Sequence, residues 1–263
     1  MKQLNDESVK QIQLDILDKV VKFCEENNLV YFLCGGTLLG AIRHKGYIPW
    51  DDDIDLMMPR KDYETLSHTF KYDGLKLYAH ELLSNYNKPF IKIGDTSTDL
   101  IENSVNEYKI GVNIDIFPLD GFPDNIKLIK RHINKIEFYR RLLVLKHLKK
   151  REGRSFYKSV TLNLSKYFLY FISTKNLLEK ISNRARKYNF DWCANAGIAV
   201  WGYGKKEVCP KVVFESSINI EFENKFYKAP KDYAVYLSNV YGNFMELPPV
   251  EKRITHHDYK VYG

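Results

Sequence analysis

Four aspartates, Asp51, Asp52, Asp53 and Asp55, stand in the run 46-GYIPWDDDIDLMMPR-60 beside Ile54, Leu56, Met57 and Met58, an apolar set suited to a buried strand. Carboxylates this close repel one another and lose hydration on burial, so the pattern asks for a neutralising partner, usually a metal ion. On an extended chain, side chains alternate between faces. Asp51, Asp53 and Asp55 are therefore expected on one side, with Asp52, Ile54, Leu56 and Met58 on the other. Oxygen donors at this spacing suit a hard cation, Mg²⁺ or Mn²⁺, and the loop lacks the Gly and closing Glu of an EF-hand. A further carboxylate, Asp115, stands between Ile114 and Ile116 in 110-IGVNIDIFPLDG-121, where no capping or turn role accounts for it. If the two strands are neighbours, three carboxylates converge, enough for one or two divalent ions about 3.5 to 4 Å apart in phosphoryl transfer.

A complementary feature precedes the aspartates. Gly35 and Gly36 end the apolar run 29-LVYFLC-34, and Thr37 opens a helical turn. Backbone N–H groups at such a turn, a hydroxyl and the positive end of a helix dipole can together cradle a phosphate. Arg43, His44 and Lys45 follow within two turns, and Lys92 is a lone cation in an apolar run; such cations can offset phosphate charge. A Gly-Gly pair alone is more often just a turn. His256 and His257, after two prolines and Arg253, are candidate ligands or acid/base groups. The order of Gly-Gly, an alternating Asp ladder and a lone strand Asp is that of a nucleotidyltransferase-type site.

Among the supporting elements, residues 6–27 carry Val9, Ile12, Ile16, Val20 and Phe23 at three- and four-residue spacing, an amphipathic helix capped by Asn5 or Asp6. Strands are expected at 29–34, 53–58, 75–80, 89–94 and 110–117, and helices from Thr37 towards Gly46 and at 60–70. A hairpin is expected at 218–230 and a helix at 231–242. Between them, Lys127 to Lys187 contains 18 basic residues against 3 acidic ones. That segment supplies more than the whole net charge of +7 and reads as basic helices. The expected fold is α+β: a nucleotidyltransferase-like core with a mixed sheet flanked by helices, plus a basic helical insertion or lobe. The corresponding division is a core over 1–125, the lobe over 126–200, and a C-terminal part, 201–263, that completes the core and site. Four cysteines without C-x-x-C spacing argue against a zinc ribbon and a disulfide framework. Neither a signal peptide nor a spanning segment is legible, so the expected location is cytoplasmic.

The motifs 35-GGTLLGAIRHKGYIPWDDDIDLMMPR-60 and 113-NIDIFPLDG-121, with the tail 236-YLSNVYGNFMELPPVEKRITHH-257, resemble the LicD family of bacterial phosphotransferases, related to the fukutin-type enzymes. The resemblance covers most of the chain outside 126–200. It implies transfer of a phospho-alcohol, typically phosphocholine from a CDP-alcohol donor such as CDP-choline, onto a hydroxyl of a cell-surface glycan or its lipid-linked precursor, with release of CMP. It also implies Asp53 and Asp55 as metal ligands, Asp115 as the third carboxylate and Asp51 as their support. Gly35, Gly36 and Thr37 would cradle the donor phosphates, with Arg43, Lys45 and Lys92 as neighbouring cations. Asp115 is the first choice for general base and Asp51 the second.

A choline head group needs aromatic faces, for which Tyr47, Trp50, Trp201 and Tyr203 are candidates. Residue types leave ribitol, glycerol or ethanolamine phosphate open as alternatives, as well as nucleotide transfer from a triphosphate. Basic amphipathic stretches such as 138-FYRRLLVLKHLKK-150 suit either contact with the anionic inner face of a membrane or a solvated lobe. Nucleic acid is not an expected partner, since no recognition motif accompanies the charge and the aspartates would repel a polyanion. A catalytically dead scaffold is disfavoured by intact Asp53, Asp55 and Asp115.

Overall fold

The computed structural model describes residues 2–102, 110–148, 167, 169–254 and 259–263. The first amphipathic pattern forms α1 (Asp6–Glu26), whose N-cap is Asn5: its side chain accepts from the Ser8 amide at 2.9 Å. This replaces an orphan helix donor's lost partner. The apolar face of α1, with Ile16, Leu17 and Val20 fully buried, covers one side of the sheet.

That sheet has seven strands. Its path runs β1 (Phe32–Leu33), β2 (Asp55–Pro59), β6 (Asn113–Phe122), β4 (Ile91–Asp95) and β3 (Leu75–Tyr78), while β7 (Asn195–Ile198) pairs with the far end of β6 and carries β8 (Cys209–Pro210) at its side. Only β2 and β6 are parallel; every other pairing in the sheet is antiparallel. The expected mixed sheet flanked by helices is therefore present. Strand β6 is the spine, apolar on both faces because it is covered on both. Four expected strands are shorter than their apolar runs, 75–80 and 89–94 giving β3 and β4. The 29–34 run narrows to β1, and the 53–58 run begins at Asp55, because Asp51 to Ile54 lie in a loop. The strand around Asp115 reaches instead to Phe122.

Helix α2 (Gly35–His44) links β1 to β2, and α3 (Arg60–Thr69) follows β2. At the junction Arg60 makes a two-pronged pair with Asp120 of β6, at 2.8 and 2.7 Å, with the Asp120 side chain 1% exposed. A short ribbon pairs β5 (Asp99–Glu102) with β11 (Tyr259–Tyr262). The basic segment contributes α4 (Ile126–His147) and α5 (Thr174–Ala185), which pack on each other. The expected hairpin is β9 (Ser217–Phe222) and β10 (Lys225–Pro230), turned by Glu223 and Asn224, both at positive φ, 52° and 61°. Two positive-φ residues in a two-residue loop match the twist of the strands they join. Helix α6 (Tyr233–Tyr241) follows, its Gly242 cap at φ 73°. Among the described residues no helix is long and apolar enough to cross a membrane.

Candidate active site

Strand register assembles the centre of the site. In the parallel pairing of β2 with β6, Asp55 lies opposite Asp115; in the antiparallel pairing of β6 with β4, Asp115 lies opposite Lys92. Adjacent side chains on one rung point to the same face, so Asp55, Asp115 and Lys92 form a row of minus, minus, plus. Lys92 Nζ donates to Asp115 Oδ1 at 2.5 Å and to Asn113 Oδ1 at 2.9 Å. Burial first, then Asp53, Asp115 and Asp51, raise the Asp55 pKa well above the carboxylate range, and Lys92 opposes them.

Asp55 is fixed from behind by the start of α2. The Cys34 N–H donates to the Asp55 carbonyl at 3.1 Å, and the Asp55 N–H donates to Thr37 Oγ1 at 2.8 Å. Thr37 is 3% exposed; its hydroxyl is a pin for Asp55, which corrects the expectation of a phosphate-facing group. The glycines allow carboxylates to approach the helix start. A Cβ on Gly35, which sits at φ +53°, would lie 2.8 Å from Asp55 Oδ2, and one on Gly36 would lie 2.3 Å from Asp51 Oδ2. What comes close to this turn in the structure is aspartate, held near the positive end of a helix.

Two cavities meet here. The first, about 410 Å³, is lined by Asp52, Asp53, Asp55, Asp115, Lys88, Lys92 and a largely aromatic wall that includes Phe90, Phe117, Trp201, Tyr203 and Tyr259. The second, about 570 Å³, is lined by Asp51, Asp53, Asp55, Gly36, Arg43, Trp50, Tyr203 and the segment 243–249. Asp53, Asp55 and Tyr203 border both. Strict alternation fails for Asp52, which borders the first cavity and accepts a hydrogen bond from Tyr259, because Asp51 to Ile54 are not strand.

The remaining expected residues divide. Arg43 reaches the second cavity, but its guanidinium donates to the Phe244 and Glu246 carbonyls at 3.2 and 3.3 Å, pinning that wall. Burial, with a smaller contribution from Arg253, lowers its pKa. Trp50 lines the same cavity, with the Arg253 guanidinium 5.5 Å from its ring. Two expectations are corrected. Lys45 is exposed in the left-handed C-cap position of α2, φ 61°, and borders neither cavity. Tyr47 turns to the protein body, donating to Gln13 Oε1 at 3.0 Å and packing on Phe222. His256 and His257 lie outside the described residues.

Glu207 was not legible as a site residue. Within 204-GKKEVC-209 it reads as one charge in a polar run, yet it is 2% exposed and borders the first cavity. Its carboxylate accepts from the Tyr203 N–H at 3.0 Å and from the Tyr236 hydroxyl at 3.2 Å. Burial raises its pKa to about 7, against the lowering effect of those two bonds. The nearby Gly202 at φ +92° was the one usable signal, since a Cβ there would stand 2.5 Å from Glu207 Oε1.

The expected donor set has the ligand chemistry of a hard divalent cation. It is all oxygen, it is crowded enough to raise the Asp55 pKa, and only one cation, Lys92, faces it along the rung. Asp53 and Asp55 border both cavities and would hold the ion. Asp115 is bound to Lys92, and among the described residues no three His, Cys, Asp or Glu side chains are gathered closely enough to form a complete ligand set.

Comparison with known proteins gives the family. Residues 28–168 match the family model described as the LicD/FKTN/FKRP nucleotidyltransferase domain. Over its whole length the chain is 34% identical to the lipopolysaccharide cholinephosphotransferase LicD of Haemophilus influenzae, covering 99% of that protein. Half of the chain is 30% identical to an uncharacterized protein of Rickettsia typhi, covering 41% of it. A 96-residue stretch, 36% of the chain, is 29% identical to mannosyltransferase regulator 4 of Saccharomyces cerevisiae, covering 8% of that protein. With its motifs placed on this fold and a relative matched from end to end, the protein belongs to the LicD family and is a phosphotransferase, a transferase of phosphate-containing groups.

Proposed function

We propose that this enzyme moves phosphocholine from CDP-choline onto a hydroxyl of lipopolysaccharide or of a lipid-linked glycan precursor, releasing CMP. The observation that carries the reading is that Asp53 and Asp55 line both of two adjoining cavities, which gives one carboxylate pair room for two substrates. The full-length relative named as a cholinephosphotransferase supports the choice of group.

Asp53 and Asp55, backed by Asp115, would hold Mg²⁺ or Mn²⁺, which supplies Lewis-acid neutralisation of the donor diphosphate when bound. The chain's own residues do the rest. Lys88 and Lys92 place positive charge in the first cavity, where we put the donor. The second cavity takes the acceptor, with Trp50 as a ring face for a sugar and Asp51 beside the entering hydroxyl. Because Asp115 is engaged by Lys92 at 2.5 Å and borders only the first cavity, we assign the general base to Asp51. The hydroxyl proton passes to Asp51, the acceptor oxygen bonds to the choline-bearing phosphorus, and the bond from that phosphorus to CMP breaks.

We further place the enzyme on the cytoplasmic face of the membrane. On α4, Lys127, Lys130, Arg131 and Lys135 line a basic groove beside exposed Ile126, Leu128 and Phe138, a mixture suited to anionic lipid.

The test is calorimetric titration in Mg²⁺ with CDP-choline, CDP-ribitol, CDP-glycerol, CTP and ATP, with Asp53→Ala/Asp55→Ala as control. Metal-dependent binding of CDP-choline, lost in the control, is expected. Preference for another CDP-alcohol would replace the transferred group, and binding of a triphosphate alone would replace the reaction with nucleotidyl transfer.

A further inference from the structure

A buried carboxylate is costly unless a cation accompanies it. Glu207 has none among the described residues; its two donors are an amide and a phenol. The fold nevertheless builds a close-fitting niche for it. Cβ atoms on Gly197 and Gly202 would come 2.2 Å from its carbonyl oxygen and 2.5 Å from Oε1. Glu207 lines the first cavity together with its aromatic wall. Phe117, Phe90 and Trp201 are in successive ring contact there, with centroids 4.6 and 5.5 Å apart, and Tyr203 continues the wall from the residue that binds Glu207. These rings already attract positive charge: Lys88 Nζ, also a lining group, is 5.9 Å from the Trp201 centroid, and Lys92 Nζ is 5.8 Å from that of Phe90.

A buried carboxyl group that ionises as a cation enters beside aromatic faces is the chemistry that recognises an alkylated ammonium, which offers charge but few or no hydrogen-bond donors. We infer that Glu207, with Trp201 and Tyr203, forms the subsite that selects a cationic head group on the transferred phospho-alcohol over a neutral one. The inference rests on the proposed reaction for its biological meaning, but the subsite is testable without the nucleotide. The cation enters as the partner that Glu207 lacks, in a cavity whose lining also holds Lys88 and Lys92 on the side that the phosphate of the same zwitterion would face.

The experiment compares phosphocholine with 3,3-dimethylbutyl phosphate, its isostere with a neutral head group, by calorimetry on the full chain in Mg²⁺. Wild type, Glu207→Gln and Tyr236→Phe are titrated, with circular dichroism and thermal melts to establish that each is folded. Wild type is expected to prefer the cationic ligand by about tenfold. Glu207→Gln should reduce that preference to about threefold or less through weaker phosphocholine binding, with the isostere's affinity unchanged. Tyr236→Phe keeps the carboxylate and should keep the preference.

Equal affinity of wild type for the two ligands would overturn the inference. So would an equal loss for both ligands in Glu207→Gln, because the residue would then act only through the Tyr236 hydroxyl, which also receives the Gly35 N–H at 3.4 Å. Should Glu207→Gln not fold, Trp201→Leu takes its place with the same two ligands and the same criterion. Retained discrimination between the phosphates with no binding of any CDP-alcohol would sink the proposed donor and leave the subsite standing.

Discussion

Replacing Lys92 by Met removes the one cation of the Asp55, Asp115, Lys92 row while keeping most of its apolar volume. The variant loses a charged hydrogen bond to Asp115 at 2.5 Å and another bond to Asn113 at 2.9 Å. It also leaves Asp115 beside Asp55, whose ionisation burial and neighbouring carboxylates already disfavour. Breaking a fully buried ion pair costs about 3–5 kcal/mol. Lys92 and Asp115 side chains are 17% and 15% exposed, so water recovers part of that, and about 2–3 kcal/mol of destabilisation is expected. For a chain of this size that is a fall in Tm of roughly 5–10 °C. The assay is urea denaturation in chelator of wild type, Lys92→Met, Asp115→Asn and the double variant, analysed as a cycle. The double variant should regain at least half of the loss, since the amide carries no charge. Added Mg²⁺ should stabilise Lys92→Met more than wild type, because the ion takes over the missing neutralisation. A Lys92→Met variant within about 0.5 kcal/mol of wild type, or a cycle with no coupling, would refute the view that this row is held together by its cation.

Three further outcomes follow from the same coordinates. Arg60→Met strands Asp120, 1% exposed, and should cost about 3–5 kcal/mol by chemical denaturation, whereas Arg60→Met/Asp120→Leu should recover most of it; equal losses would show the pair to be incidental. Glu207 and His132 should give stability opposite pH slopes. Glu207, raised from 4.5 to about 7, keeps its proton in the folded state after the unfolded chain has lost it, so its contribution falls as pH rises between those values. His132, lowered from 6.5 to about 4 by burial and by Arg184 and Lys187, must discharge to fold, so its contribution falls as pH drops from 6.5 to 4. Each shift is worth at most about 3 kcal/mol. Urea midpoints from pH 4 to 8 should thus steepen towards acid in Glu207→Gln and flatten there in His132→Leu; unchanged profiles would contradict both assignments. Finally, Gly36→Ala forces Asp51 Oδ2 from a point 2.3 Å away. Turnover is expected to fall about 10- to 100-fold with little change in Tm, and retained turnover would remove Asp51 from the reaction.

Much of the site was legible because charge in an apolar strand has few explanations. Asp55 and Asp115 announced themselves against Ile54, Leu56, Ile114 and Ile116, and their convergence needed only that the two strands be neighbours, which the sheet order confirms. Lys92 was noticed as a cation in an apolar run, but its partner was not, since antiparallel register with a strand 20 residues away leaves no local mark. Thr37 and Tyr47 were misread for the same reason: a hydroxyl or ring near a motif takes its role from what packs behind it, here the Asp55 amide and Gln13. Strand alternation failed at Asp52 because repulsion and hydration keep Asp51 to Asp53 off the ladder, and the period of two applies only where the ladder exists.

By itself the sequence determined the α+β class, the long amphipathic first helix and the hairpin over 218–230, and it singled out a cluster of carboxylates as the candidate site. These are local matters, carried by side-chain period, turn residues and like charges too close to be accidental. Only tertiary structure decided that Asp53 and Asp55 divide two cavities, that Asp51 faces one and Asp115 the other, and that Glu207, 152 residues beyond Asp55 in number, is buried at the aromatic wall. Burial and dielectric depend on what the remote chain packs against a group, and no spacing along the chain records that.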